Sequence, residues 1–207
     1  MIYEMSVITR SSCNEKSLQS ITKSIHEVIK EHGGNILIED EWGAMNFAQS
    51  TSKGERQGIY LYFMFEGDGT ANKELTRRFN LDENVVKSMI VKLGDERIKA
   101  NMVKNYKTPF SKNYNGSLVD EETEQTGKQG VKRKFIKKKN CWFTAKGIRA
   151  DWKDPKTFNW LVNEFGKISP ARVTGISRKH QRFSILAIKR ARQMGIMAYL
   201  SNGIATK

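Results

Sequence analysis

The sequence predicts an α+β chain: a mixed strand-and-helix body, a flexible tether, and a smaller, mainly α-helical basic body. Three observations predict it. Strand and helix patterns alternate through residues 2–93, a polar stretch without apolar period follows, and the last third turns helical in spacing and strongly basic. Charge divides the same way. Residues 1–96 carry 11 Lys and Arg against 15 Asp and Glu, whereas residues 133–207 carry 18 against 3. Such asymmetry within a net charge of +14 indicates two bodies with different tasks, the second aimed at a polyanion.

The elements follow in order. Residues 2–9 (IYEMSVIT) are rich in β-formers and read as a strand. Leu18, Ile21, Ile25, Val28, Ile29 and His32 then recur at helical spacing, and Gly33-Gly34 stops the helix. His32 lies on that apolar stripe and is expected to be a satisfied core-edge histidine, since no ligand-type residues surround it. Asn35–Trp42 is a second strand and Gly58–Glu66, dense in aromatics, a third, with polar Asn46–Arg56 between them. Ala71–Asn80 is a short helix with Leu75 and Phe79 inward, and Val85–Leu93 a fourth strand. Strand, helix, strand, strand, helix, strand is the ferredoxin-like split βαβ order: a four-stranded antiparallel sheet with both helices on one face. The first body is bounded at 1–96.

Residues 97–132 include KTPFSKNYNGS, the acidic patch Asp120–Glu124 and QTGKQG, and read as a largely irregular tether. The start near Ile98–Val103 has enough apolar character to extend the fourth strand or to dock locally. A tether of 36 residues spans about 30–36 Å r.m.s..

The second body, 133–207, opens on RKFIKKK and is anchored by Cys141, Trp142, Phe143, Ile148 and Trp152. A helix is expected from Pro155, with Phe158, Leu161, Val162 and Phe165 inward and Gly166 at its end. A short extended loop, KISPARVTG, leads to the longest helical pattern, from about Ser177 to Met194. Phe183, Leu186, Ala187, Ala191 and Met194 form its apolar stripe. Arg178, Arg182, Lys189 and Arg192 stand opposite, with Lys179 and Arg190 on a flank. No acidic residue occurs between Gly166 and Lys207, so these cations forgo the i,i+4 pairing of an ordinary solvated helix. Nucleic-acid phosphate would supply the missing counter-charge. So small a body is expected to need a partner surface to be well ordered.

Several classes are excluded. Two distant cysteines, Cys13 and Cys141, make no disulfide framework, and three scattered histidines give no zinc spacing. No apolar run reaches membrane-spanning length, and the first residues do not read as a signal segment. The sequence shows no Gly-rich phosphate loop and no Ser/His/Asp or Cys/His constellation, so neither an enzyme nor a cofactor is expected.

The first body resembles small-subunit ribosomal protein six across residues 1–93. Tyr3-Glu4, Gly33-Gly34, Glu41-Trp42-Gly43, Phe47-Ala48, Gly58-Ile59-Tyr60, Glu74-Leu75-x-Arg77 and Met89-Ile90-Val91-Lys92-Leu93 stand at that family's spacing. The second resembles small-subunit ribosomal protein eighteen across residues 134–199. There the matching pieces are Lys138-Lys139-x-Cys141-x-Phe143-Thr144, Lys153-Asp154 and Gly166-Lys167-Ile168-x-Pro170-x-Arg172-Val173-Thr174-Gly175. Lys179-His180-Gln181-Arg182, Ala187-Ile188-Lys189-Arg190-Ala191-Arg192 and Tyr199 complete them. The chain departs from these patterns at Ala44, Met45, Asn46 and Ala48-Gln49-Ser50. It also has Trp152 where a Tyr is common and Ala198 where a Pro is common.

The resemblance implies a fusion of two normally separate proteins that pair on ribosomal RNA. It implies a structural constituent of the small subunit, in its platform, bound to the central domain of small-subunit ribosomal RNA beside other platform proteins. Expected RNA contacts are Arg172, Arg178, Lys179, Arg182, Lys189, Arg190 and Arg192 to phosphate, and His180 and Gln181 to ribose or base edges. A basic tail adds Arg133, Lys134, Lys137, Lys138 and Lys139. The acidic first body is expected to offer a sheet edge or helix face to the second, pairing within the chain. The expected location is the ribosome of a bacterial cytoplasm, with a mitochondrial or plastid ribosome as the alternative. Rival readings are a free RNA- or DNA-binding regulator and a ribosome-associated factor; a groove-reading helix would normally sit in a helix-turn-helix or a dimer.

Overall fold

The computed structural model describes residues 1–51, 54–95, 97, 99–109 and 141–200. The elements come in the predicted order. β1 (Ile2–Arg10), α1 (Glu15–Glu31), β2 (Asn35–Asn46), β3 (Gln57–Glu66), α2 (Thr70–Leu81) and β4 (Val85–Gly94) make up the first body. Its sheet runs β2-β3-β1-β4, every neighbour antiparallel. Gly34 N–H bonds the Ile29 carbonyl and Gly33 N–H the Lys30 carbonyl, closing α1 where the sequence stops it. His32 is half-buried and its Nδ1 lies 2.9 Å from the Val28 carbonyl oxygen, the satisfied state expected of it.

Alternation along the strands builds two cores, one on each face of the sheet. Tyr3, Met5 and Val7 of β1 and Leu61, Phe63 and Phe65 of β3 point to one side. There they pack with Ile21, Ile25, Val28 and Ile29 of α1 and with Ala71, Leu75 and Phe79 of α2. Ile2 and Ile8, with Tyr60, Tyr62 and Met64, point to the other side. An isolated split βαβ unit leaves that face to water. Here it shares a cluster with Phe143, Trp152, Phe158, Leu161, Ile176, Ala187, Ile188, Ala191 and Met194 of the last third of the chain. The contact surface is therefore the open sheet face rather than the sheet edge or helix face the sequence led us to expect. The reason lies in the strands themselves. IYLYFMF in β3 is apolar or aromatic at every position, a pattern suited to a strand covered on both faces.

Two further expectations are corrected. Residues 97–132 do not begin as irregular tether: α3 (Lys99–Asn105) forms, and Met102 and Tyr106 pack on the second core. The Tyr106 hydroxyl donates to Asp40 at 2.6 Å and accepts from the Trp42 indole at 3.1 Å, while the Tyr106 ring stacks on Tyr62 with centroids 5.0 Å apart. Burial, with Asp40 adding to it, pushes the Tyr106 phenol up. Residues 110–132 lie outside the described residues.

The helix expected from Pro155 is replaced by two 3-10 turns, Pro155–Thr157 and Asn159–Leu161. Asparagine competes with the helix here. The Asn163 side-chain oxygen accepts from Phe165 N–H at 3.1 Å and from Lys167 N–H at 2.7 Å, folding a turn that sends Phe165 outward. The remaining helices are α4 (Trp142–Lys146), α5 (Ala171–Thr174) within the loop expected to be extended, and α6 (Arg178–Gln193).

Candidate nucleic-acid interface

α6 begins where its cap requires: the Ser177 side chain accepts from the His180 backbone N–H. Its inner face is Ser184, Ala187, Ile188 and Ala191. That stripe is rotated from the expected one. Leu186, assigned inward, is about half exposed at 48%, and Ser184 and Ile188 take its place against the sheet. Small residues at 184, 187 and 191 give the helix a close-fitting side. The outer face carries exposed Arg178, Lys179, Arg182 and Lys189, and exposed Arg172 precedes it on α5. Among the described residues none of these five forms an ion pair.

Other expected contacts are placed differently. Arg192 is half-buried and engaged inside the protein. Its Nε donates to the Ala198 carbonyl at 3.2 Å, its terminal nitrogen donates to the Gly166 carbonyl, and its guanidinium lies 5.9 Å from the Tyr199 ring centre. It ties Ala198 and Tyr199 to the turn before α5. Gly166 (φ +76°) passes so close to Tyr199 that a Cβ there would lie 2.3 Å from the Tyr199 carbonyl oxygen. Gln181 donates to the Ser169 carbonyl at 3.0 Å. His180 Nδ1 lies 3.0 Å from Ser177 Oγ and 3.2 Å from Cys141 Sγ. Arg190 is half-buried, bordering a groove shared with Lys92, Arg149 and Leu186. Arg133, Lys134, Lys137, Lys138 and Lys139 lie outside the described residues.

The Cys141–His180 contact was not legible in the sequence, which separates the two by 39 positions. Partial burial pushes the Cys141 thiol up. Hydrogen bonds from the Thr144 hydroxyl, from the backbone of Ser177 and Thr144, and from His180 outweigh it, so the thiol titrates at about 6. This cluster pins α4 to the first turn of α6.

The seam between the sheet face and the last third has a buried polar centre at Glu4. Glu4, only 2% exposed, accepts from the Trp152 indole at 2.9 Å through Oε1 and from Lys153 Nζ at 3.0 Å through Oε2. The Tyr62 hydroxyl is 3.4 Å from the same Oε2. Burial works against the charge on Lys153, but Glu4 and then Asp151 more than offset it, leaving its pKa raised. Burial, with Glu4 beside it, pushes the Tyr62 phenol up. Trp152 thus supplies the N–H donor at the position where it replaces a common Tyr. At the other end of the seam the Tyr60 hydroxyl donates to the Met194 carbonyl at 2.6 Å and Ala48 N–H to the Gly195 carbonyl at 2.7 Å. Tyr199 N–H donates to the Gln49 side chain at 3.2 Å. Gly195 is required here: its φ is +69°, and a Cβ would meet the Phe47 ring at 3.0 Å. The departures at Ala48 and Gln49 therefore sit on this contact. The sequence marks Glu4 and Lys153 as family-matching positions without giving either a role, and it does not single out Arg149. An acid at an inward position of a buried strand was the available signal for Glu4.

Comparison with known proteins follows the same division. The family profile for Ribosomal protein S6 matches residues 2–92 and that for Ribosomal protein S18 matches residues 146–197. A solved structure of 30S ribosomal protein S6 from Thermotoga maritima is similar at 21% identity and a TM-score of 0.44, covering 50% of this chain and 96% of that one. The two matched segments lie on either side of the sheet face they share. Residues 2–92 belong to the ribosomal protein S6 family and residues 146–197 to the ribosomal protein S18 family, so this chain is a small-subunit ribosomal protein in which the two are fused.

Proposed function

We propose that the chain is a structural, non-enzymatic constituent of the small subunit that binds small-subunit ribosomal RNA in the platform, with its two domains paired in cis. The carrying observation is the outer face of α6. Arg178, Lys179, Arg182 and Lys189 are exposed together, and no acidic residue follows Gly166. Like charges held side by side on a rigid helix are stabilised by an anion that neutralises them, and each phosphate contact releases condensed counterions. Arg172 on α5 extends the row, and guanidinium groups hold phosphate with two donors each. Arg133, Lys134 and Lys137–Lys139 add a basic segment at the start of the domain. Arg192, Gln181 and His180 support the fold behind that face.

Pairing in cis is supported by the Glu4–Trp152–Lys153 centre and by the apolar cluster around it. The domains are 1–96 and 133–207, with 97–132 between them, and α3 belongs with the first. The opposed charges of the domains favour their encounter, and the connection raises their mutual concentration to the order of millimolar. The partners are platform RNA and its neighbouring proteins, in a bacterial cytoplasm or an organelle.

The test is filter binding of the full chain to the central domain of small-subunit ribosomal RNA across a salt series. Affinity is expected to fall linearly on log–log axes. Neutralising both Arg182 and Lys189 should lower the slope by roughly 1.4–1.8, at about 0.7–0.9 for each phosphate contact. Binding that ignores salt, or a slope unchanged in the double variant, would overturn the assignment.

A further inference from the structure

The second domain exposes a tryptophan that the fold holds in place without covering. Trp160, in the 3-10 turn Asn159–Leu161, is 45% exposed. Its indole N–H donates to the Thr157 carbonyl at 3.1 Å, so its one polar atom is already satisfied. Phe143, fully buried, stacks on it with centroids 6.2 Å apart at 28°, and Trp142 meets it at 5.8 Å and 68°. The ring is therefore fixed by a bond and two aromatic neighbours, while close to half of the residue stays open to solvent. A packed interior would bury such a ring, and an incidental surface aromatic would not be held by three partners.

Cations flank the aromatic cluster. Lys146 Nζ stands 5.8 Å from the centre of the Trp142 ring, and exposed Lys156 lies in the turn before Trp160. Phe143 in turn lies 5.4 Å from His180, in the first turn of α6 beside exposed Arg178 and Lys179. Neither 141–150 nor 155–163 contains an acidic residue, and the acids that border them are Asp151, Asp154 and Glu164. A rigid, open π surface rimmed by cations is what an unpaired nucleobase stacks on while its phosphates meet the cations.

We infer that Trp160, backed by Trp142 and Phe143, is a stacking platform for an unpaired base of RNA, separate from the phosphate-binding face of α6. The inference rests on the RNA-binding reading above and adds a second kind of contact to it. A neighbouring protein, or this chain's own residues outside those described, is the competing occupant, and the experiment separates them.

The test uses the full chain, a ten-nucleotide oligoadenylate RNA, and an abasic ribose-phosphate strand of the same length. Trp160→Leu removes the ring but keeps apolar bulk at a half-exposed position, and Trp160→Phe keeps an aromatic face. Trp160→Leu is expected to weaken oligoadenylate binding about ten-fold. It should leave the salt slope and abasic binding unchanged, and Trp160→Phe should recover most of the loss. Equal affinity of Trp160→Leu and wild type for oligoadenylate would overturn the platform, as another occupant predicts. An equal loss on the abasic strand would also overturn it, because the effect would then be on charge or fold. Failure of the wild-type chain to bind oligoadenylate at low salt would overturn the platform, whereas the RNA-binding reading itself stands or falls on binding to the central domain of small-subunit ribosomal RNA.

Discussion

Glu4 is the residue on which the seam between the domains turns. It is a carboxylate at a fully covered strand position, and such a group is tolerable only because the Trp152 indole and the Lys153 ammonium both donate to it. Lys153→Met leaves that carboxylate buried without its counter-charge. Denaturant unfolding followed by tryptophan emission should show a loss of about 3–5 kcal/mol. Adding Glu4→Gln removes the charge while keeping an acceptor for Trp152, so the double variant should recover much of that loss. A double variant no better than the single one would show that the pair is not coupled. The raised Lys153 pKa fixes the sign of the pH dependence. Its contribution is full below the ordinary lysine value and is lost only as pH rises through the higher folded value. The seam should therefore hold at neutral pH and loosen in strong alkali. Cys141 behaves oppositely. Its depressed value means that the stabilisation from its thiolate is present above the ordinary thiol range and is lost as pH falls through about 6. Its alkylation by iodoacetamide should be half-maximal near pH 6, and Thr144→Val should move that midpoint upward further than His180→Ala does. A wild-type midpoint already at the ordinary thiol value would contradict the hydrogen-bonded cluster. Neither contact follows from local sequence, because each joins residues brought together only by the fold.

At the scale of elements, α6 separates residues that hold the domain together from residues that face outward. Ile188→Ala should cost about 2–5 kcal/mol, since Ile188 is fully buried against the sheet-side cluster. Arg192→Ala should lower thermal stability, through the lost bonds to the Ala198 and Gly166 carbonyls, and leave the salt slope of RNA binding unchanged. Arg182→Ala should do the reverse. If Arg192→Ala changed the slope as Arg182→Ala does, Arg192 would be a phosphate contact after all. Elements were legible where one periodicity ran long. α1, α2 and α6 each announce themselves by helical spacing, and β1 and β3 by β-formers. The stretch after Pro155 has the same apolar count as a helix, but Asn159 and Asn163 give its backbone local alternatives that hydrophobic spacing does not weigh. α3 was half legible: the apolar character near Ile98–Val103 suggested docking, but Asp40 and Trp42, the partners of Tyr106, lie far back in the chain. The exposed part of the candidate site was readable because charge composition alone marks it. The division among those cations was not, because it depends on which carbonyls come within reach of Arg192.

For the whole molecule, one sheet serves two cores. Its α1–α2 side completes the S6 domain and its open side seats the S18 domain, so neither domain's buried surface is independent of the connection between them. Cutting an inserted protease site between Pro109 and Cys141 should make thermal stability depend on concentration, the cut protein melting lower on dilution while the intact chain does not. Equal melting at every dilution would show that the connection adds nothing to the pairing. The central claim is that pairing through the sheet leaves the outer face of α6 free for RNA. It is tested most directly by ultraviolet crosslinking of the full chain to small-subunit ribosomal RNA in reconstituted particles, with nucleotide adducts mapped by mass spectrometry. The account predicts adducts on the outer face of α6, around Arg178, Arg182 and Lys189, and none on α1 or α2. Adducts on α1 and α2 with α6 unmodified would contradict it.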